Sequence, residues 1–148
     1  MTTIAEYRTA VAAFLERQPS TVSLSLAWND PQVSMDCVRS ALSLIHQMVD
    51  RQIYGPRYAR RCRADRSRFW AVVELLDRHP HCHLGWQLPP DGPAVLDTLL
   101  SEGVWKDIAP AGSHDLKIYR PGWAGYATKC LPKSTENLIF SDDFLSNK

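Results

Sequence analysis

Apolar positions recur every three or four residues over residues 3–17, where Ile4, Tyr7, Val11, Phe14 and Leu15 share one side. The spacing predicts an amphipathic helix, closed by Pro19 and Ser20. The period then drops to two. Val22, Leu24, Leu26 and Trp28 alternate with Ser23, Ser25 and Ala27, as in a half-buried strand, and Asn29-Asp30-Pro31 stops it. That trio also offers caps for a long core helix in which Val38, Ala41, Leu42, Ile45, Met48, Val49 and Ile53 return at helical spacing. His46 and Met48 lie on that helix and are expected to serve packing or surface roles.

Two further alternations flank Asp77-Arg78-His79-Pro80. Read as a hairpin with those four residues as its loop, Phe69–Leu76 and His81–Leu88 pair so that Glu74 faces His83 and Leu76 faces His81. Glu74, His81, His83 and Trp70 then share one face. The other carries Phe69, Ala71, Val73, Leu75, Cys82, Leu84, Trp86 and Leu88, an apolar set suited to packing on helices. Cys82 is thereby expected in the core and not among any ligands.

Beyond the hairpin, Pro89–Pro93 reads as a turn and Ala94–Leu100 as a short helix, with 104–112 irregular. Leu116, Ile118 and Tyr119 suggest another strand. A short helix after Pro121-Gly122 would carry Tyr126, Lys129 and Lys133 on adjacent turns of one side, until Pro132 ends or kinks it. Residues 134–148 read as a polar tail with Ile139, Phe140, Phe144 and Leu145 as docking points.

At 148 residues, 45% apolar and 22% charged, the chain fits one globular domain spanning 1–148, with residues 1–19 as an N-terminal helix and 134–148 as the tail. No apolar run reaches the roughly 20 residues that span a bilayer, and Glu6 and Arg8 sit where a signal peptide needs an uncharged stretch. No membrane association and a cytoplasmic, intracellular location are expected. Cys37, Cys62, Cys82 and Cys130 form no C-x-x-C pair, so free thiols are expected in place of a zinc finger or disulfide framework.

Net charge is +1, unevenly spread. Arg57, Arg60, Arg61, Arg63, Arg66 and Arg68 against Asp65 alone make +5 over residues 57–68, which leaves −4 elsewhere. Such a patch suits phosphate backbones, as it also suits a merely solvated loop.

Two imidazoles and a carboxylate on one sheet wall make a three-ligand site with open positions, a composition suited to Mn²⁺ and tolerant of Mg²⁺. Register favours Glu74 as the carboxylate, with His79 the other candidate for third ligand. Downstream, Tyr126 stands one turn from Lys129. A phenol of ordinary pKa about 10 needs help to become a nucleophile at neutral pH. A nearby ammonium and a metal-polarised phosphate both favour the phenolate.

Three motifs in order carry a resemblance: Thr21-Val22-Ser23-Leu24-Ser25-Leu26, Pro80-His81-Cys82-His83-Leu84 and Tyr126-Ala127-Thr128-Lys129. Over roughly residues 20–133 the chain resembles the His-hydrophobe-His endonucleases, in particular rolling-circle replication initiators of phage and plasmid type. The resemblance implies an α+β fold with a central antiparallel sheet of about five strands flanked by helices, a palm like that of RNA-recognition domains. It implies that His81, His83 and Glu74 hold a divalent metal, Mn²⁺ or Mg²⁺, while Tyr126 attacks single-stranded DNA at an origin or hairpin, assisted by Lys129. The products would be a 5′-phosphotyrosine and a free 3′-hydroxyl. The arginine segment and Lys133 are then the expected DNA contacts, with Trp70 the better placed of the tryptophans to stack a base. No helicase motif accompanies these, so either unwinding is expected from a host helicase or replisome, or the substrate is already single-stranded. A single-strand transposase of the same chemistry typically keeps a glutamine ligand after the tyrosine, where this chain has Cys130. A noncatalytic nucleic-acid-binding module is the alternative outside catalysis.

Overall fold

The computed structural model describes residues 2–74 and 79–145. The chain is α+β, with one five-stranded sheet that is antiparallel throughout. Strands β1 (Val22–Ala27), β2 (Arg68–Glu74), β3 (His81–Gln87), β4 (Ser113–Ile118) and β5 (Leu138–Phe140) run in the order β4-β1-β3-β2-β5, so the strand bearing His81 and His83 is central.

One sheet face meets the long helix α2 (Met35–Tyr54), α3 (Gly92–Ser101) and α4 (Val104–Ile108). The faces follow the alternation in the sequence: Val22, Leu24 and Leu26 of β1, Phe69, Ala71 and Val73 of β2, and Cys82, Leu84 and Trp86 of β3 all enter this core. Helix α2 starts at Ser34, whose hydroxyl accepts from the Cys37 amide; the cap lies three residues beyond Asn29-Asp30-Pro31. His46 is a core residue, its Nε2 2.9 Å from the Ser67 carbonyl, and Met48 packs on the core edge. Where residues 104–112 were expected to be irregular, Gly103, at φ +94°, turns the chain into α4. Trp105 anchors this short helix by burying its ring and donating to the Ala27 carbonyl at 3.1 Å.

The opposite face is only partly covered. Helix α1 (Ile4–Glu16) and the five-residue α5 (Trp123–Ala127) bring Leu15, Ala124, Ala127 and the following Leu131 onto Trp70 and Val72. Burying a side chain such as Leu15 contributes about 1.5–3 kcal/mol. Trp70 therefore lies inside a second core, 2% exposed, and cannot stack a base. Its indole crosses Gly85 so closely that a Cβ there would lie 2.5 Å from the ring.

The hairpin register differs from expectation by two residues. Glu74 pairs with His81 and Val72 with His83. Pro80 lacks an N–H for the ladder, and its carbonyl instead accepts from the Trp28 amide at 3.2 Å. A slip of two preserves parity, so every described residue keeps its expected face. The positions expected for Leu75, Leu76, Asp77 and Arg78 lie outside the described residues.

Helix α5 ends at Ala127, before Lys129 and well before Pro132, so Tyr126, Lys129 and Lys133 do not share a helical side. The Thr128 hydroxyl turns back onto the Ala124 carbonyl at 2.8 Å as the helix closes. The expected polar tail contains β5, which pairs with β2 and buries Ile139 completely. Among the described residues no helix is long and apolar enough to cross a membrane.

Candidate functional site

Glu74 closes β2 and His81 opens β3, and their direct pairing places carboxylate and imidazole side by side. His81 Nε2 is 2.7 Å from Glu74 Oε2, and His83 Nε2 is 3.7 Å from Oε1. One ligand atom from each of the three residues lies within 4.8 Å of the other two, so the group could hold a metal ion. Glu74 is 5% exposed, and its Oε1 is buried without a hydrogen-bond partner among the described residues. An acceptor left bare between two imidazoles fits a cation, since an unsatisfied buried carboxylate oxygen is otherwise costly.

Both histidines are oriented from behind. His81 Nδ1 lies 2.7 Å from the His79 carbonyl, which can only accept, so Nδ1 carries the hydrogen and Nε2 is turned to the carboxylate. His79 thus contributes its main chain; its exposed side chain is outside the triad. His83 Nδ1 lies 2.9 Å from Ser25 Oγ on β1, and when Nδ1 donates there, Nε2 is free to bind a cation. Burial holds the His83 pKa down, to about 4, with the adjacent His81 and the Lys129 ammonium adding to the effect. His83 is therefore the neutral imidazole that a metal requires at neutral pH. Cys82, between them, faces the main core, and burial raises its thiol pKa far above the ordinary value.

Tyr126 reaches this site from α5. Its ring meets the His83 ring edge to face at 5.4 Å, the Trp123 ring stacks on it at 5.4 Å, and Lys129 Nζ lies 3.9 Å from its centroid. Half of Tyr126 remains exposed, so it is open to a substrate from the solvent side. Three contacts fix the helix that carries it. The Trp123 indole donates to the Leu84 carbonyl at 2.9 Å, while Glu16 at the end of α1 accepts from the Gly122 amide at 2.8 Å and the Tyr119 hydroxyl at 2.6 Å. The Tyr119 bond lowers the Glu16 pKa, and burial together with that carboxylate pushes the Tyr119 phenol above its ordinary range. Tyr119 is thus a structural donor.

The basic residues expected to track DNA lie elsewhere. Arg68 pairs across the sheet with Gln87, six residues along the strand from Glu74, or roughly 20 Å. Arg68 is bound to Asp142 at 2.6 Å. Arg66 is bound to Asp50 at 2.8 Å, within a buried network that includes His46 and the Ser67 hydroxyl. Arg61 packs on the Tyr54 ring at 4.3 Å and donates to the Asp65 carbonyl. Arg57, Arg60 and Arg63 are exposed. Lys133 donates to the Thr2 carbonyl at 2.6 Å, beside the start of α1. The structure thus gathers Glu74, His81, His83, Tyr126 and Lys129, and leaves the arginine segment and Lys133 apart from them.

Ser25, Trp123 and Glu16 were not singled out as site residues by sequence reasoning. Ser25 sat on the polar face of a clear strand, yet nothing linear says that this strand lies beside His83. No protein-family model, curated protein or solved structure matches this chain.

Proposed function

We propose that this protein nicks and rejoins single-stranded DNA through Tyr126, in a reaction that depends on a divalent metal and initiates rolling-circle replication. The observation that carries the reading is the contact between the Tyr126 ring and His83, which places a half-exposed phenol beside a buried two-histidine, one-carboxylate group. A bound Mn²⁺ or Mg²⁺ would neutralise and orient the scissile phosphate.

The protein's own residues account for the rest. His81 and His83, held by the His79 carbonyl and Ser25, present Nε2 beside Glu74 without rearrangement. Tyr126 loses its proton to solvent, and its oxygen bonds to phosphorus as the bond from phosphorus to the 3′-oxygen breaks. That oxygen takes up a proton to become a 3′-hydroxyl, and the 5′-phosphate stays on Tyr126. Lys129 keeps a positive charge beside the ring that becomes the phenolate. Attack by a 3′-hydroxyl on the phosphotyrosine reverses these steps and rejoins the strand. Strand separation would be the work of a host helicase or replisome.

The test is incubation of the full chain with Mn²⁺ and a fully randomised single-stranded DNA pool, which removes the need to know the recognised sequence. A denaturing gel and mass spectrometry should reveal a nucleotide adduct on Tyr126 in the wild type and none in Tyr126→Phe. No adduct from the wild type, or one that survives in Tyr126→Phe, overturns the reading.

A further inference from the structure

On the side of Tyr126 facing the edge strand β4, a groove of about 620 Å³ is lined by Ser23, Lys117, Ile118, Arg120, Trp123 and Tyr126 itself. Ser23 and Lys117 are directly paired across β1 and β4, one side-chain step along from Ser25, which holds His83. The groove and the triad therefore occupy the same sheet face, with Tyr126 at their junction. We propose that this groove binds the single-stranded DNA flanking the scissile phosphate, with phosphates on Lys117 and Arg120 and a base against the Trp123 edge; the inference rests on the nicking function proposed above.

Two features favour this ligand. Lys117 and Arg120 put two exposed cations on one wall. Lys117 lies 3.3 Å from Asp115, but both partners are largely exposed, and such a pair yields readily to a phosphate. Trp123 and Tyr126 are stacked, and Trp123 is pinned by its bond to the Leu84 carbonyl, so the pair forms a fixed aromatic edge of the kind on which bases stack in any sequence. The arginine segment offers no comparable route, because Arg66 and Arg68 are bound to carboxylates and Arg68 sits at the far end of β2 from Glu74.

The experiment is fluorescence anisotropy of a labelled randomised single-stranded pool with the full chain in EDTA, where affinity is read without the metal. The double variant Lys117→Glu/Arg120→Glu should lose tenfold or more in affinity at low salt. Replacing both by Gln should cut the slope of log affinity against log salt by about 1.4, for two lost phosphate contacts on a single strand. Arg57→Glu/Arg60→Glu should change affinity less than threefold. A Mn²⁺-induced rise in Tm that survives in the groove variants shows that they are folded with the triad intact. A groove variant that binds like the wild type, or an arginine variant that loses as much, overturns the inference. If the wild type binds through the groove but forms no adduct on Tyr126, the groove stands and the nicking reading falls. Adduct formation with unchanged affinity in the groove variant defeats the groove alone, and absence of all binding defeats both.

Discussion

Glu74 shows how one atom can decide between two readings of a site. With Oε2 on His81 and Oε1 buried and bare, the carboxylate is only half served by the described residues. A cation would complete it, and binding to the folded form alone would stabilise that form by roughly 2.7 kcal/mol at a hundredfold excess over Kd. Differential scanning fluorimetry of the wild type should show Tm rising with Mn²⁺ concentration by several degrees. Glu74→Gln should abolish most of that rise, because an amide oxygen cannot replace the charge. A rise of equal size in Glu74→Gln would mean that the metal binds elsewhere. The residue types were legible from alternation alone: a shared face for Glu74, His81 and His83 follows from parity, which survives a two-residue error in register. The partner of each atom was not legible, since Ser25 reaches His83 only through strand pairing.

At the scale of elements, long periodic segments were read well and short ones were not. Helices α1 and α2 and strands β1, β2 and β3 fall close to where their periods place them, because each buries a continuous apolar face. Helix α4 and strand β5 were missed because five or three residues carry too little periodicity, and their order comes from Trp105 and Ile139 entering cores built by other segments. Helix α5 was drawn too long for a related reason. It is too short to stand alone, and its place depends on Glu16 of α1 and on Trp123. Glu16→Ala should therefore lower the yield of Tyr126 adduct several-fold while leaving the Mn²⁺-induced Tm rise unchanged. Loss of both together would indicate general unfolding and not misplacement of α5.

In the molecule as a whole, the two sheet faces divide the labour: one builds the main core under α2, and the other combines a smaller core with the site. The main core contains a titratable group, His46, whose pKa burial lowers from the ordinary 6.5 although Asp50 and Asp142 oppose the shift; Arg66 reinforces it. Below about pH 6.5 the unfolded chain binds a proton that the folded core refuses, so stability should fall with falling pH by up to about 1.4 kcal/mol per unit. Urea unfolding at about pH 7.5 and about pH 5.5 should show a smaller difference for His46→Gln than for the wild type. Equal differences would assign the pH dependence to other groups. The same network ties Arg66 down, so the charge counted along the chain is not all free to meet a partner: Arg66 and Arg68 serve carboxylates of α2 and of residues 141–144. By itself the sequence determined the two-faced hairpin, the core position of Cys82 and the shared face of the three residues of the metal-capable group, because these depend on a period of two that acts locally, while the α+β class, expected from the resemblance, is the class of the fold. Only the tertiary structure decided that Tyr126 meets His83, that Ser25 and Glu16 hold the parts in place, and that Lys117 and Arg120 line a groove with Tyr126. Those are contacts between segments distant in the chain, set by which strands pair and which helices cover them, and no local period records them.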